Sequence, residues 1–201
     1  MEELVQHLKE IGVLKTPALV EAFSKIDRRD FVLPEYQDAA YEDYPLPIGF
    51  GQTISQPYTV AFMLELLNPE KGEKILDVGS GSGWTAALLA YLVGSSGRVI
   101  GKELQKNLVR FARENLAKYP ELNVEIFQAK KGALGLPKES PFDKILVSAA
   151  AKEIPKELLS QLAKDGVMVL PVENAVLRIQ KRPGKAPDIK KFEGFAFVPL
   201  L

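Results

Sequence analysis

A glycine-rich segment at residues 74–85 has the residue types and spacing needed to bind a small charged molecule. Its sequence is KILDVGSGSGWT: a short apolar run, an aspartate, three alternating glycines and the start of a second apolar stretch. Glycines after a strand let the backbone approach a ligand closely and adopt positive φ. A helix that begins directly behind them points its free amide groups at an anionic group. The segment therefore predicts a nucleotide-like ligand where a strand gives way to a helix.

Two classes of ligand fit this segment. The glycines and Ala86 match the G-x-G-x-x-A pattern of NAD-binding proteins, with Glu103 about twenty residues downstream as the ribose-binding acid. S-Adenosylmethionine (AdoMet) fits better, because Asp77 precedes the first glycine and can reach the cationic amino group of that ligand. The bulk of Trp84 leaves less room for a pyrophosphate, and the sequence offers no plausible hydride-transfer apparatus. AdoMet is the predicted cofactor, and NAD remains the alternative.

The residues expected to bind AdoMet follow two neighbouring strands. The first strand ends in the glycine segment, whose amides and aspartate face the methionyl part of the cofactor. The second strand ends at an acid that can accept hydrogen bonds from both ribose hydroxyls. The predicted cofactor-binding residues at these two strand ends are Asp77, Val78, Gly79, Ser80, Gly81, Gly83, Glu103 and Leu104.

The elements that must position these residues alternate between strand and helix patterns. Mostly apolar strands separated by helices predict an α/β, Rossmann-like fold of the class I AdoMet-dependent methyltransferases, with a mainly parallel sheet covered on both faces. Two further strand patterns, at residues 176–181 and 194–200, predict an antiparallel hairpin at the sheet edge. Strands are predicted at residues 74–78, 98–101, 124–128, 144–148 and 167–172, and helices at 58–67, 85–93, 107–118 and 155–163.

The 201 residues are predicted to form a single methyltransferase domain. Residues 58–201 form the AdoMet-binding core, and residues 1–57 an N-terminal extension. Two short helical patterns occupy residues 1–30. Residues 31–57 are rich in proline and tyrosine and lack periodicity, which predicts a long functional loop. Residues 40–57 are expected to cover the reacting groups.

Composition limits the chemistry and the partners. The 26 basic and 26 acidic residues balance, so no positive field favours nucleic acid or an anionic membrane. The chain has no cysteine, and its one histidine, His7, lies in a surface-helix pattern, so neither a metal site nor a catalytic triad is expected. Without a signal peptide or a long apolar run, the chain is expected to be a cytoplasmic monomer that does not enter membranes.

The sequence resembles the protein-L-isoaspartate (D-aspartate) O-methyltransferases through nearly its whole length. The specific match is the run GQTISQPYTVA, whereas DVGSGSG marks the wider methyltransferase superfamily. Further matching runs are FVLPEY, ARENL, SPFDKILVSAAAKEIPKELLSQLAKDGVMVLPV and FAFVPL, in the order shown by that family. The resemblance implies repair chemistry: AdoMet methylates the free carboxylate of an isoaspartyl residue in a damaged protein, and the ester closes to a succinimide that reopens partly to aspartate.

The resemblance also implies an acceptor site. It places Thr53, Ile54, Ser55 and Val172 against the isoaspartyl substrate, with Ser55 as the catalytic hydroxyl that orients the acceptor carboxylate. A carboxylate with a pKa of about 4 is already ionised at neutral pH, so no general base is required. A chain with one histidine and no cysteine can therefore catalyse this transfer by alignment and exclusion of water.

Three departures from the family pattern stand beside the match. The family has Gly-Asp-Gly at the adenine end of the pocket, where this chain has Lys130, Lys131 and Gly132. By the resemblance, Lys131 and Gly132 are the positions that bind the cofactor. The acid of the second strand follows Gly101-Lys102 instead of apolar residues, and Glu173 replaces a glycine. These departures leave two alternatives open: a diverged, weakly active or non-catalytic homologue, and a methyltransferase with another acceptor.

Overall fold

The computed structural model describes residues 1–200, which form six α-helices and nine strands. The helices are α1 (Glu2–Glu10), α2 (Pro17–Lys25), α3 (Pro57–Leu67), α4 (Trp84–Val93), α5 (Lys106–Leu116) and α6 (Lys156–Gln161). The strands are β1 (Leu46–Gly49), β2 (Gln52–Ile54), β3 (Lys74–Val78), β4 (Arg98–Glu103), β5 (Val124–Gln128), β6 (Phe142–Val147), β7 (Leu162–Val172), β8 (Ala175–Gln180) and β9 (Asp188–Glu193).

Seven strands form one sheet in the order β5-β4-β3-β6-β7-β8-β9. The first five are parallel, and β8 and β9 continue the sheet as antiparallel strands at its edge. Alternate side chains of β3 enter two separate cores: Ile75 packs with α3, α4 and α5, and Leu76 packs with Leu158 of α6 on the other face. The Rossmann-like fold predicted from the sequence is confirmed. Among residues 1–200, no helix is both long and apolar enough to cross a membrane.

The C-terminal edge differs from the prediction in one strand. The hairpin exists, but β8 pairs with residues 188–193, and the predicted strand at 194–200 is wrong. Hydrophobic pattern could not identify β9, because most of its side chains are exposed at the sheet edge. The apolar segment 194–200 instead crosses beside the carboxyl end of β6, where Ala150 N donates to Val198 O at 2.8 Å and Leu200 N donates to Ala150 O at 2.9 Å.

The segment at residues 31–57 is more regular than predicted. It contains a short 3-10 helix, Pro34–Ala39, and the two-stranded hairpin of β1 and β2. The hairpin was missed because its strands have only four and three residues. Its tip, Gly49–Gly51, has positive φ throughout, with Phe50 at φ 55°. The segment is therefore a folded hairpin attached to the core rather than an extended loop.

A carboxylate of α3 binds the connection between the two N-terminal helices, which also pack into the main apolar core. Glu65 of α3 accepts hydrogen bonds from Lys15 N at 2.7 Å, Thr16 N at 2.8 Å and Thr16 Oγ1 at 2.7 Å. Thr16 thus uses its hydroxyl to contact α3 and does not cap α2 with its side chain. The link fixes the start of α2, whose Phe23 packs edge-on against Trp84 with 5.5 Å between ring centroids.

Removal of this carboxylate should loosen the extension. We expect Glu65→Ala to lower the free energy of unfolding by about 2 kcal/mol, because three hydrogen bonds to a charged group are lost. Glu65→Gln keeps one carbonyl oxygen for the two amides and should lose much less. Chemical denaturation measures both variants, and equal losses would contradict this role for the Glu65 oxygens.

Candidate active site

The glycine segment turns from β3 into α4 at the carboxyl edge of the sheet. Gly79, Gly81 and Gly83 have φ values of 81°, 53° and 94°. A Cβ on Gly83 would lie 3.3 Å from the Cβ of Ala112 on α5, and one on Gly81 would lie 3.2 Å from Cδ1 of Ile48 on β1. These glycines therefore allow both the turn and the close approach of α5 and the hairpin.

Glu103 connects the glycine segment to the next strand and helix. Its carboxylate accepts hydrogen bonds from Gly81 N at 2.9 Å and from Gln105 N at 2.8 Å, and the residue is largely buried. The pairing of β3 with β4 places this acid beside the glycines, as the sequence predicts. The two backbone amides fix the position of the carboxylate.

Asp77 is a buried acid without a hydrogen-bonding partner. It is fully buried, and neither carboxylate oxygen has a donor among residues 1–200. Burial raises the pKa of Asp77 to about 7, and the charge of Glu103 raises it as well. The nearby Ser80 hydroxyl opposes this rise in pKa, although it donates to the Asp77 main-chain carbonyl at 3.1 Å rather than to the carboxylate. A buried anion of this kind is stabilised by a nearby cation. The ammonium group of an amino-acid ligand bound at the glycines would supply that charge.

A cavity of about 600 Å³ opens beside these residues. Four of the residues assigned to the cofactor from the sequence, Val78, Gly79, Glu103 and Leu104, line it. Other predicted residues do not line the cavity: Ser80, Gly81 and Gly83 shape the turn, and Asp77 is buried directly before Val78 of the lining. The sequence analysis assigned none of the other lining residues to the cofactor, although it noted Lys130 at the adenine end of the pocket; they are Gln52, Lys102, Gln105, Ala129, Lys130, Ala133, Leu134, Gly135, Ala149, Pro199 and Leu200.

A second cavity, of about 730 Å³, adjoins the glycine segment. Thr53 and Ser55 line it, together with Thr59 and Ser148, so four hydroxyl-bearing residues share one chamber. Ser148 also lies next to the cofactor side, because a Cβ on Gly79 would be 3.8 Å from its carbonyl carbon. The lining is uncharged: Pro45, Thr53, Ser55, Gln56, Thr59, Ser148, Ala196, Phe197 and Val198.

Two predicted substrate residues do not line this second cavity. Ile54 is buried in the apolar core, because alternation along the chain turns it away from the face of Thr53 and Ser55. Val172 packs against the core on the other face of the sheet, and its backbone bridges to Ala151.

The hydroxyls of Thr53 and Ser55 are not used to cap the following helix. Asp43 performs that role, since its Oδ1 accepts from Tyr58 N at 2.8 Å and its Oδ2 from Gln56 Nε2 at 3.3 Å. Within residues 1–200, neither hydroxyl has a hydrogen-bonding partner. Both groups are therefore available to a molecule in the cavity.

A buried arginine that the sequence did not indicate holds this segment in place. The Arg28 guanidinium donates to the carbonyl oxygens of Ala40 at 2.8 Å, Glu42 at 3.2 Å, Tyr44 at 3.0 Å and Ser55 at 3.2 Å. Burial lowers its pKa to about 10, and the Asp43 carboxylate opposes that shift. Because its partners are main-chain carbonyls, no pattern of residue types could have revealed the contact.

Trp84 does not act as predicted. Its side chain is almost fully buried beneath the N-terminal helices, with its ring centroid 5.5 Å from the Arg28 guanidinium carbon. The indole therefore points away from the cofactor cavity and does not restrict it. The prediction that Trp84 leaves less room for a pyrophosphate is wrong. Other observations must therefore distinguish AdoMet from NAD.

Comparison with known proteins decides between them. The family model for protein-L-isoaspartate (D-aspartate) O-methyltransferase matches residues 1–201. The chain belongs to this methyltransferase family. Protein-L-isoaspartate O-methyltransferases from Aeropyrum pernix and Methanopyrus kandleri are 45% and 43% identical to it, over 98% and 100% of this chain and 78% and 90% of theirs. A Plasmodium falciparum structure described as a protein-L-isoaspartate O-methyltransferase, in complex with S-adenosyl-L-homocysteine, superposes with a TM-score of 0.89 at 29% identity. The superposition covers 99% of this chain and 97% of that one.

Membership in the isoaspartyl methyltransferase family makes the chain an AdoMet-dependent transferase, as the sequence predicts. The predicted resemblance is confirmed over the full length. The NAD alternative and the non-catalytic alternative are not favoured, since the curated relatives carry the name of the active methyltransferase.

The departures from the family pattern have local structural explanations. Lys131 and Gly132 are exposed and do not line the cofactor cavity, so of the two lysines only Lys130 reaches it. Gly101 makes room for the glycine segment, because a Cβ there would lie 2.5 Å from the hydroxyl oxygen of Ser80. Lys102 donates to Gln128 O at 2.9 Å on the neighbouring strand.

Glu173 occupies the two-residue turn between β7 and β8 and is exposed. It has a φ of 55°, which explains why glycine suits this position, and it lines neither cavity. Glu173 therefore adds no negative charge to the lining of either cavity. We expect Glu173→Gly to raise the free energy of unfolding by up to about 1 kcal/mol, since left-handed backbone is unfavourable for other residues. Turnover should not change, and a clear loss of turnover would contradict this position for the side chain.

Proposed function

We propose that this chain transfers a methyl group from AdoMet to the free carboxylate of isoaspartyl residues in damaged proteins, with the two adjoining cavities as its cofactor and acceptor sites. The observation that supports this most directly is the uncharged, hydroxyl-lined acceptor cavity beside the glycine segment. The isoaspartyl substrate follows from the family to which the chain belongs.

The cofactor site would hold AdoMet by its methionyl part and its ribose. Asp77 would neutralise the ammonium group of the methionyl part, the amides near the start of α4 would face its carboxylate, and Glu103 would bind the ribose hydroxyls. The unpartnered oxygens of Asp77 support this assignment. When bound, AdoMet supplies a methyl group on a positively charged sulfur, which is a good leaving group.

The acceptor site would require no proton transfer. The isoaspartyl carboxylate is ionised at neutral pH, so one oxygen can attack while the Ser55 hydroxyl donates to the other. The absence of basic side chains from the cavity lining fits this chemistry, because neither a base nor a counterion has to be part of the wall. The chain then contributes alignment and exclusion of water, which Arg28 supports by fixing the segment that ends in Ser55.

The test is transfer of a labelled methyl group from AdoMet to an isoaspartyl peptide, with the matched aspartyl peptide as control. We expect labelling of the isoaspartyl peptide alone. Binding of AdoMet without labelling of either peptide would refute the proposed acceptor. A monomeric state, a cytoplasmic location and an absence of nucleic-acid or membrane partners remain predictions, and gel filtration with light scattering tests the first.

A further inference from the structure

Gln161, the last residue of α6, makes an unusual set of side-chain contacts for a helical glutamine. It is only 3% exposed. Its Oε1 accepts from Leu136 N at 2.7 Å, and its Nε2 donates to Leu134 O at 3.0 Å and to Glu157 O at 2.9 Å. The side-chain amide therefore binds the main chain on both sides of Gly135, much as a neighbouring strand would.

Gly135 is shaped to fit this amide. It has a φ of 76°, and a Cβ at this position would overlap the side-chain amide of Gln161. The glycine lets the loop lie directly on the glutamine, and the glutamine satisfies the polar main-chain groups on either side. A buried amide whose hydrogen-bonding groups all have partners rigidifies the backbone that it contacts.

The segment held in this way forms a wall of the cofactor cavity. Ala133, Leu134 and Gly135 all line it, as does Glu103. This is also the end where the family pattern has an acid and this chain has Lys130 and Lys131. The wall offers apolar side chains and main-chain groups, together with the Lys130 ammonium group, to a bound molecule. Its shape, rather than a carboxylate, must then provide the fit to an adenine ring.

We propose that Gln161 is a positioning residue for the adenine end of the cofactor site: without lining the cavity, it sets the affinity for AdoMet by fixing residues 134–136. The inference rests on the proposed function for the location of the adenine ring. It predicts a specific division of effects, in which cofactor binding depends on Gln161 and acceptor recognition does not, because Thr53 and Ser55 lie in the other cavity.

The experiment compares Gln161→Ala and Gln161→Glu with the wild-type chain by titration calorimetry, using AdoMet and adenosine as separate probes. Loss of the amide should weaken both ligands by about tenfold, since two hydrogen bonds to the loop disappear. Gln161→Glu has nearly the same size but cannot donate to Leu134 O, so it should also weaken both. At saturating AdoMet, the KM for an isoaspartyl peptide and kcat should stay within about twofold of the wild type.

Ser160→Ala is the matched control. Ser160 precedes Gln161 on the same helix, is exposed, and donates to the same Glu157 carbonyl at 2.8 Å, but none of its hydrogen bonds reaches residues 134–136. Its affinity for AdoMet should equal that of the wild type. Hydrogen exchange at the Leu136 amide provides a second measurement, because that amide should lose protection in Gln161→Ala and keep it in Ser160→Ala.

Several outcomes would overturn the inference. One is a wild-type affinity for AdoMet in both Gln161 variants, and another is weakened binding of AdoMet with unchanged binding of adenosine. A third is a change in the peptide KM and in kcat that is as large as the change in AdoMet affinity. If Gln161→Ala does not fold, Gln161→Glu decides the question alone. A wild-type chain that binds AdoMet but labels no isoaspartyl peptide would refute the proposed function, while the binding comparison would still test Gln161.

Discussion

Asp77→Asn should stabilise the free protein above pH 7 and at the same time weaken its binding of AdoMet. The acid is fully buried and has no donor to either oxygen among the residues described, so its ionised form is costly without a ligand. An asparagine of the same shape removes the charge but also removes the partner for the cofactor ammonium group. Thermal unfolding and titration calorimetry on the same variant measure the two opposite effects.

The pH dependence of this effect follows from the two pKa values. Asp77 has a pKa of about 7 in the folded chain, against 3.8 for the same group in a solvated reference. Below pH 3.8 both states carry the proton and the charge has no effect on stability. As the pH rises, the unfolded state releases the proton first, so the wild type loses stability until the folded state also ionises near pH 7. Above pH 7 the penalty is complete, at about 4 kcal/mol.

The variant therefore provides its own control. At pH 4 the two proteins should have nearly equal melting temperatures, whereas at pH 8 Asp77→Asn should melt higher, by on the order of 10 °C. The affinity for AdoMet at pH 8 should fall by at least tenfold, the loss expected for a charge-assisted contact. A variant that is less stable than the wild type at pH 8 would contradict the cost of the buried charge. A variant that binds AdoMet equally well would remove Asp77 from the cofactor site.

The sheet and the cofactor side were predictable because their signals are local. The run ILDV predicts a buried strand, the three glycines predict the turn, and the register of β3 with β4 brings Glu103 beside them. A polar edge strand such as β9 carries no such signal, because its side chains face solvent and only its main chain pairs. The hydrophobic pattern therefore favoured residues 194–200 as the second strand of the hairpin. Those apolar residues instead cross beside the carboxyl end of β6.

The acceptor side was harder to predict because it is built from main-chain contacts. Arg28 binds backbone atoms distant in sequence, and backbone partners leave no trace in the types of the residues that provide them. Gln161, beside the cofactor cavity, was missed for the same reason. The family resemblance located Thr53, Ile54 and Ser55 as a group but did not separate them. Alternation along the chain would have done so, since it places Ile54 on the face opposite its two neighbours.

Ser55→Ala should lower turnover far more than it lowers cofactor affinity. Ser55 lines the hydroxyl-bearing cavity, and its hydroxyl is not occupied by the helix cap, which Asp43 provides. Since no basic side chain lines that cavity, a neutral donor must orient the acceptor carboxylate. Loss of one hydrogen bond to a charged group corresponds to about 1.5–3 kcal/mol, or one to two decades in kcat/KM. Initial rates with a labelled methyl group and an isoaspartyl peptide measure the loss.

The comparison that isolates the hydroxyl is Ser55→Thr, which keeps the donor and adds one methyl group. It should retain more activity than Ser55→Ala, although a branched side chain in the cavity restricts the rotamer. Both variants should bind AdoMet like the wild type, because Ser55 lies outside the cofactor cavity, and both should keep the Arg28 contact, which uses the Ser55 carbonyl. If Ser55→Ala turns over at the wild-type rate, the acceptor carboxylate is held elsewhere in the cavity, and Ser148, beside the glycine segment, is the hydroxyl to test next.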